Sequence, residues 1–156
     1  MDKFISRIKS FLLILVVSFL LIQLYRPFSL NKSKVNSYKF FDELKAPEKV
    51  KNLIQNSCFD CHSNRTDYAW FDYIAPISWK VNSNIKKGKT TVNFSEWKNY
   101  EEWRKLSTLS ASTFNIKNQS MPPKNYLLAR PSKKITLEER KYLINWFENI
   151  SRITLK

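Results

Sequence analysis

The sequence predicts an all-α protein, a helical domain preceded by a single transmembrane helix. Three observations carry this. Apolar residues recur at helical spacing, as in Val50, Leu53, Ile54 and Cys58, and again in Leu143, Trp146, Phe147 and Ile150. Helix-opening signals stand before such stretches, at Pro47, at Asn93-Phe94-Ser95-Glu96 and at Thr136-Leu137-Glu138-Glu139. No stretch alternates apolar and polar residues as a half-buried strand requires, and no internal repeat stands out. At 156 residues a single domain is expected, and 43% hydrophobic residues suffice for a core.

The N-terminus carries Lys3, Arg7 and Lys9 and then an apolar run from Phe11 to Leu24. Counted from Ile5, with the basic side chains reaching back to the interface, about 20 residues cross roughly 30 Å. A cleaved signal peptide would show a small-x-small site after the run, and Tyr25-Arg26-Pro27-Phe28 offers none. An uncleaved anchor over residues 1–28 is therefore expected, with a cleaved signal as the alternative. Arg26, Lys32, Lys34 and Lys39 make the far flank basic too, so charge does not orient the helix. Residues 29–45 read as a polar, basic tether with Phe40 and Phe41 embedded, and residues 46–156 as the folded domain.

Within the domain, Pro47 and Glu48 open a helix that ends at Cys58. Asp67 to Trp79 is short, aromatic and broken by Pro76. Ser78 to Lys87 reads as a helix capped by Gly88. The Asn93 box opens a helix through Trp97, Tyr100, Trp103 and Leu106, with a further turn or helix from Leu109 to Ile116. Thr136 opens the last helix, which is expected to dock on the one that carries Cys58.

The chemistry concentrates in Cys58-Phe59-Asp60-Cys61-His62, which reads C-x-x-C-H, the attachment signature for c-type haem. Thiols at i and i+3 of a helical turn point the same way and suit thioethers to the two vinyl groups of one porphyrin. The adjacent His62 supplies an imidazole to the iron. The chain holds 2 Cys and 1 His, and the motif uses all of them. A structural disulfide leaves the adjacent His unexplained. A zinc site normally needs four protein ligands, and dithiol redox pairs sit in a βαβ context that is absent here.

Trp70, Tyr73, Pro76 and Trp79 are assigned to the walls of the haem pocket, the indole N–H groups seeking a partner such as a propionate. Plain core packing explains either Trp equally well. Met121 is the only Met besides Met1, and Pro122 and Pro123 stiffen its loop. A thioether held there is the candidate second axial ligand, with Pro122 and Tyr126 beside it in the pocket. A Met simply packed in a proline-rich loop is the bland alternative.

Gly88 is the only glycine, so glycine-rich phosphate loops are excluded. Lys and Arg exceed Asp and Glu by 27 − 13 = 14. No nucleic-acid-binding motif accompanies that charge. An acidic redox protein or the membrane surface fits it better than nucleic acid. The oligomeric state is not readable from these features.

The order of C-x-x-C-H helix, middle helical region, Met-Pro-Pro loop and C-terminal helix resembles the class I cytochromes c. More closely, the chain resembles the bacterial haem-binding domain family with an N-terminal membrane anchor. The likeness rests on Asn56 to Asn64, Tyr68 to Trp79, Gly88, Asn93-Phe94-Ser95-Glu96-Trp97, Met121-Pro122-Pro123 and Ile144-Asn145-Trp146, and it covers about residues 40–150. It implies a cytochrome c-like domain around one covalent haem c, on the outer, periplasmic side of the bacterial inner membrane. It implies an electron carrier rather than an enzyme, with His62 as proximal and Met121 as distal iron ligand. A haem sensor with an open sixth position and a thiol–disulfide redox protein are the competing functions. The family pattern often carries a His where this chain has Asn84, and in some members where it has Arg130. Neither exists here, which leaves Met121 or an open position.

Overall fold

The structure, a computed structural model, describes residues 2–26 and 38–154. Among these the fold is all-α, with no strand. The helices are α1 (Asp2–Leu24), α2 (Tyr38–Glu43), α3 (Glu48–Ser57), α4 (Phe59–His62), α5 (Ile77–Thr91), α6 (Glu102–Lys117), α7 (Lys124–Ala129) and α8 (Leu137–Thr154). Short 3-10 turns cover Trp70–Tyr73, Phe94–Asn99 and Pro131–Lys133. The chain forms two compact units, and the division falls inside α5. Among the described residues, the first holds α1 with Tyr68–Asn84, and the second holds residues 38–67 and 85–154.

In the first unit, Lys3–Leu24 is long and apolar enough to cross a membrane, and none of it is buried against protein. Gln23 in its last turn is tied to Ala75. The Gln23 Nε2 donates to the Ala75 carbonyl at 3.1 Å, and the Ala75 N–H donates to Gln23 Oε1 at 2.9 Å.

The second unit is built on an aromatic core. Phe40 and Phe41 of α2 are fully buried, so the core begins inside the stretch read as tether. The rest of that stretch, up to residue 37, lies outside the described residues. Phe40 sits 4.6 Å from Phe94, 4.9 Å from Trp97 and 6.2 Å from Trp146, centroid to centroid. Such edge and tilted contacts add about 0.5–1.5 kcal/mol each beyond the area they bury. Val50, Ile54, Leu109, Leu143 and Phe147 complete the centre. The last helix does reach α3, but α6 is its main neighbour.

Helix starts follow the sequence where one local rule decides. Pro47 stands just before α3, with Glu48 in its first turn. Thr136 and Glu139 form the reciprocal box, with the Thr136 N–H donating to Glu139 Oε2 at 2.8 Å and the Glu139 N–H to Thr136 Oγ1 at 3.2 Å.

Two expectations are corrected. Gly88 does not cap a helix, because α5 runs on to Thr91. Asn93 opens only a 3-10 turn, with its side chain accepting from the Ser95 N–H at 3.1 Å. Glu96 does not reach back to complete a box. It accepts instead from Asn64 and Asn99, while the Asn93 N–H donates to the Tyr100 hydroxyl. Tyr100 then ends the turn, and the long helix starts afresh at Glu102, absorbing the stretch from Leu109 to Ile116.

Candidate haem site

The C-x-x-C-H residues sit at a break between two helices. The Cys58 N–H closes α3 on the Ile54 carbonyl at 2.9 Å. The Cys58 carbonyl then opens the next turn, accepting from the Cys61 N–H at 3.2 Å and the His62 N–H at 3.0 Å. Phe59 pins this turn to the core, stacking on Phe41 at 5.7 Å and on Phe94 at 5.9 Å. Cys58 and Cys61 are not joined in a disulfide, and both are only partly exposed.

The chain leaving His62 is clamped. Asn64 receives Asn93 Nδ2 at its Oδ1 and gives its own Nδ2 to Glu96, both at 2.8 Å, while its backbone N–H donates to Ser95 Oγ at 2.9 Å. The Asn93-Phe94-Ser95-Glu96 stretch therefore holds the exit of the motif rather than the start of a helix.

The imidazole is oriented by α5 and the residue just past it. His62 Nδ1 lies 3.0 Å from the Gly88 carbonyl and 3.1 Å from the Val92 carbonyl. Carbonyls only accept, so Nδ1 carries the proton and Nε2 keeps its lone pair. That is the tautomer and the outer hydrogen bonding an iron-bound imidazole needs. Burial lowers the His62 pKa, while the two carbonyls pull the other way, so the ring is neutral at pH 7.

Gly88 makes this approach possible. A Cβ there would meet the Cys61 backbone, lying 3.0 Å from its carbonyl carbon and 3.0 Å from its Cβ and closer still to the carbonyl oxygen. A lone glycine inside a helical pattern is the available sequence signal, since such a residue often marks a close packing contact.

Met121 arrives by a sharp helix stop. Beyond Asn118, Gln119 adopts a left-handed conformation with φ 57°. The Ser120 N–H donates to the Asn115 carbonyl at 3.1 Å and the Gln119 N–H to the Ile116 carbonyl at 3.2 Å, the paired bonds of a Schellman turn. Arg140 of α8 fixes the result, its Nη1 donating to the Ile116 carbonyl and, at 3.0 Å, to the Met121 carbonyl.

Cys58, Cys61, His62 and Met121 line one cleft with Ser57, Asp60, Ile116, Pro122, Pro123, Tyr126 and Ile135. Its empty space is about 390 Å³, part of it open solvent, and its walls are almost wholly apolar. Ser57 Oγ is buried in this wall with no hydrogen-bond partner among the described residues. An orphaned hydroxyl in an apolar cleft is what a bound polar edge would satisfy.

Asp60 is the residue that sequence reasoning missed. The carboxylate is buried, yet it accepts from the Tyr126 hydroxyl at 2.6 Å and from the Asp67 N–H at 3.0 Å. Arg130 Nε and Lys133 Nζ lie 3.9 Å and 3.8 Å from Oδ2, the oxygen that accepts from Tyr126. Burial and the Asp60 hydrogen bond push the Tyr126 pKa upward, so the phenol remains a donor. The middle of the haem motif is thereby bonded to the helix that comes after the Met-Pro-Pro loop. No sequence pattern announces this, because the partners are 66 residues apart.

Trp70, Tyr73, Pro76 and Trp79 belong to the first unit, while every residue lining this cleft belongs to the second. The Trp79 indole N–H donates to the Tyr25 carbonyl at 3.0 Å, so that donor already has a partner. Trp70 is 75% exposed, and Tyr73 packs on Tyr68 at 5.7 Å. Pro122 and Tyr126 do line the cleft.

The donor set fits a porphyrin better than a bare ion. Among the described residues, no three His, Cys, Asp or Glu side chains are grouped to hold a metal by themselves. Two thiols, one oriented imidazole and one thioether around an apolar slot suit a flat cofactor with iron at its centre. An all-α haem-binding protein is what this fold and these donors define. A family model described as a haem-binding domain matches residues 17–149, and the chain belongs to that family. Neither a curated protein nor a solved structure matches the chain.

Proposed function

We propose that the chain is a membrane-anchored mono-haem c-type cytochrome, an electron carrier rather than a catalyst. The observation that carries this is the held imidazole. His62 has Nδ1 committed to two backbone carbonyls and Nε2 free, in one apolar cleft with both thiols and Met121. Bound haem supplies one-electron iron chemistry. Cys58 and Cys61 would hold it through thioethers, and His62 and Met121 would ligate its iron. The apolar wall keeps water from the iron, and His/Met ligation raises the potential. Helix α1 spans the inner membrane with its N-terminus inside, and the haem domain works on the outer face. With a net charge of +14, the partner is an acidic redox protein, met faster at low salt.

The thiol–disulfide alternative is weakened by Cys58. Burial, with Cys61 and Asp60 nearby, pushes its thiol up to about 12. A thiol protonated at pH 7 is a poor nucleophile. The open-site sensor differs in one measurable respect. Protein from a haem-attaching host should be low-spin, showing a weak sulfur–iron band when oxidised and ignoring CO when reduced. High-spin iron that binds CO readily would assign it to sensing.

A further inference from the structure

We propose that residues 70–80 form a second membrane contact, an interfacial shelf that lies in the phospholipid headgroup layer beside the end of α1. This rests on the reading of α1 as a membrane span. The 22 residues from Lys3 to Leu24 are unburied. At about 1.5 Å per residue they match the roughly 30 Å of a hydrocarbon core. Gln23 is therefore at the edge of the hydrocarbon, where an unpaired amide is costly.

Its amide is paired. Gln23 Nε2 donates to the Phe19 and Ala75 carbonyls, each at 3.1 Å, and Oε1 accepts from the Ala75 N–H at 2.9 Å. One turn further, the Trp79 indole donates to the Tyr25 carbonyl at 3.0 Å, and the two rings meet edge to face at 5.7 Å. Two separate contacts, one through the Ala75 backbone and one through the Trp79 side chain, thus tie this segment to the last turn of α1 and the residue after it. What is tied there shares the depth of that turn.

The side chains suit that depth. Trp70 is 75% exposed and Ile77 46%, and Pro76 is exposed between them. Leu24 and Tyr25, at the exit of α1, are 81% and 63% exposed. Trp and Tyr favour the headgroup level, where the ring is shielded and its polar tip stays wet. Lys80 is exposed on the same face of α5 as Ile77, three residues on, and can meet a lipid phosphate.

The test uses the full-length, haem-loaded protein in bacterial membranes, with p-benzoylphenylalanine placed at position 70, 77 or 11. Illumination is followed by mass spectrometry for phospholipid adducts, and haem content checks folding. Adducts at position 11 and at 70 or 77, in yields within several-fold of each other, are expected. Adducts at position 11 alone overturn the shelf and leave the span intact. No adduct at position 11, with release of the wild-type protein by alkaline carbonate, overturns the span and the shelf with it.

Discussion

Replacing Gly88 by Ala gives a sign test of how α5 meets the haem motif. In an ordinary helix interior this change stabilises by roughly 0.5–1 kcal/mol, because alanine has less backbone entropy to lose. Here the new methyl would sit 3.0 Å from the Cys61 carbonyl carbon and 3.0 Å from its Cβ, and nearer to the oxygen. The neighbour is backbone, so it cannot swing aside. Forcing a methyl into a packed interface costs about 1–3 kcal/mol. The Gly88 carbonyl that His62 Nδ1 uses, at 3.0 Å, moves with the helix. The expected net effect is destabilisation by ~1–2 kcal/mol, a Tm lower by roughly 2–8 °C. Thermal unfolding of the haem-loaded protein in detergent, followed at the haem absorption band, measures it. The spectrum should also show weakened His62 ligation. A more stable Gly88→Ala protein with an unchanged spectrum would refute the close approach.

Further outcomes are expected. Met121→Ala should keep the haem attached but lose the sulfur–iron band, bind CO and lower the potential, all read by visible spectroscopy and a redox titration. Asp60→Asn removes the charge that Tyr126, Arg130 and Lys133 face in a buried site, and should cost about 1–3 kcal/mol in denaturant unfolding, with Tyr126→Phe costing less. Thr136→Ala should cost about 0.5–2 kcal/mol in the same assay. Hydrogen bonds from Thr136 hold the Glu139 carboxyl below its ordinary pKa. Its contribution is therefore present above the unfolded pKa and lost as pH falls through the lowered folded value. Glu139→Gln should flatten that acid limb.

The parts legible in the sequence are those that a local rule decides. Pro47 and the Thr136–Glu139 pair mark their helix starts because capping involves residues within one turn. The C-x-x-C-H spacing is local too, and it lies on the cleft wall together with Met121. What escaped depends on tertiary contacts. Gly88 looks like a cap beside Lys86 and Lys87, yet the backbone of Cys61 decides its role. Asn93 looks like a helix start, yet Asn64 captures Glu96 and Tyr100 captures the Asn93 N–H. Phe40 and Phe41 sit in a polar stretch, and only the Phe94, Trp97 and Trp146 rings around Phe40 and the Phe59 ring on Phe41 show them to be core. The Trp79 indole invites a haem-edge assignment on the sound ground that a buried N–H needs a partner, and that partner is Tyr25.

The central claim is one porphyrin bonded to Cys58 and Cys61. The intact mass of the denatured chain, made in a host with a working haem-attachment system, tests it most directly. The account predicts a mass raised by one haem, with the haem lost from the denatured chain when both cysteines are replaced by alanine. A colourless chain of unmodified mass from a host that loads other c-type cytochromes would contradict it.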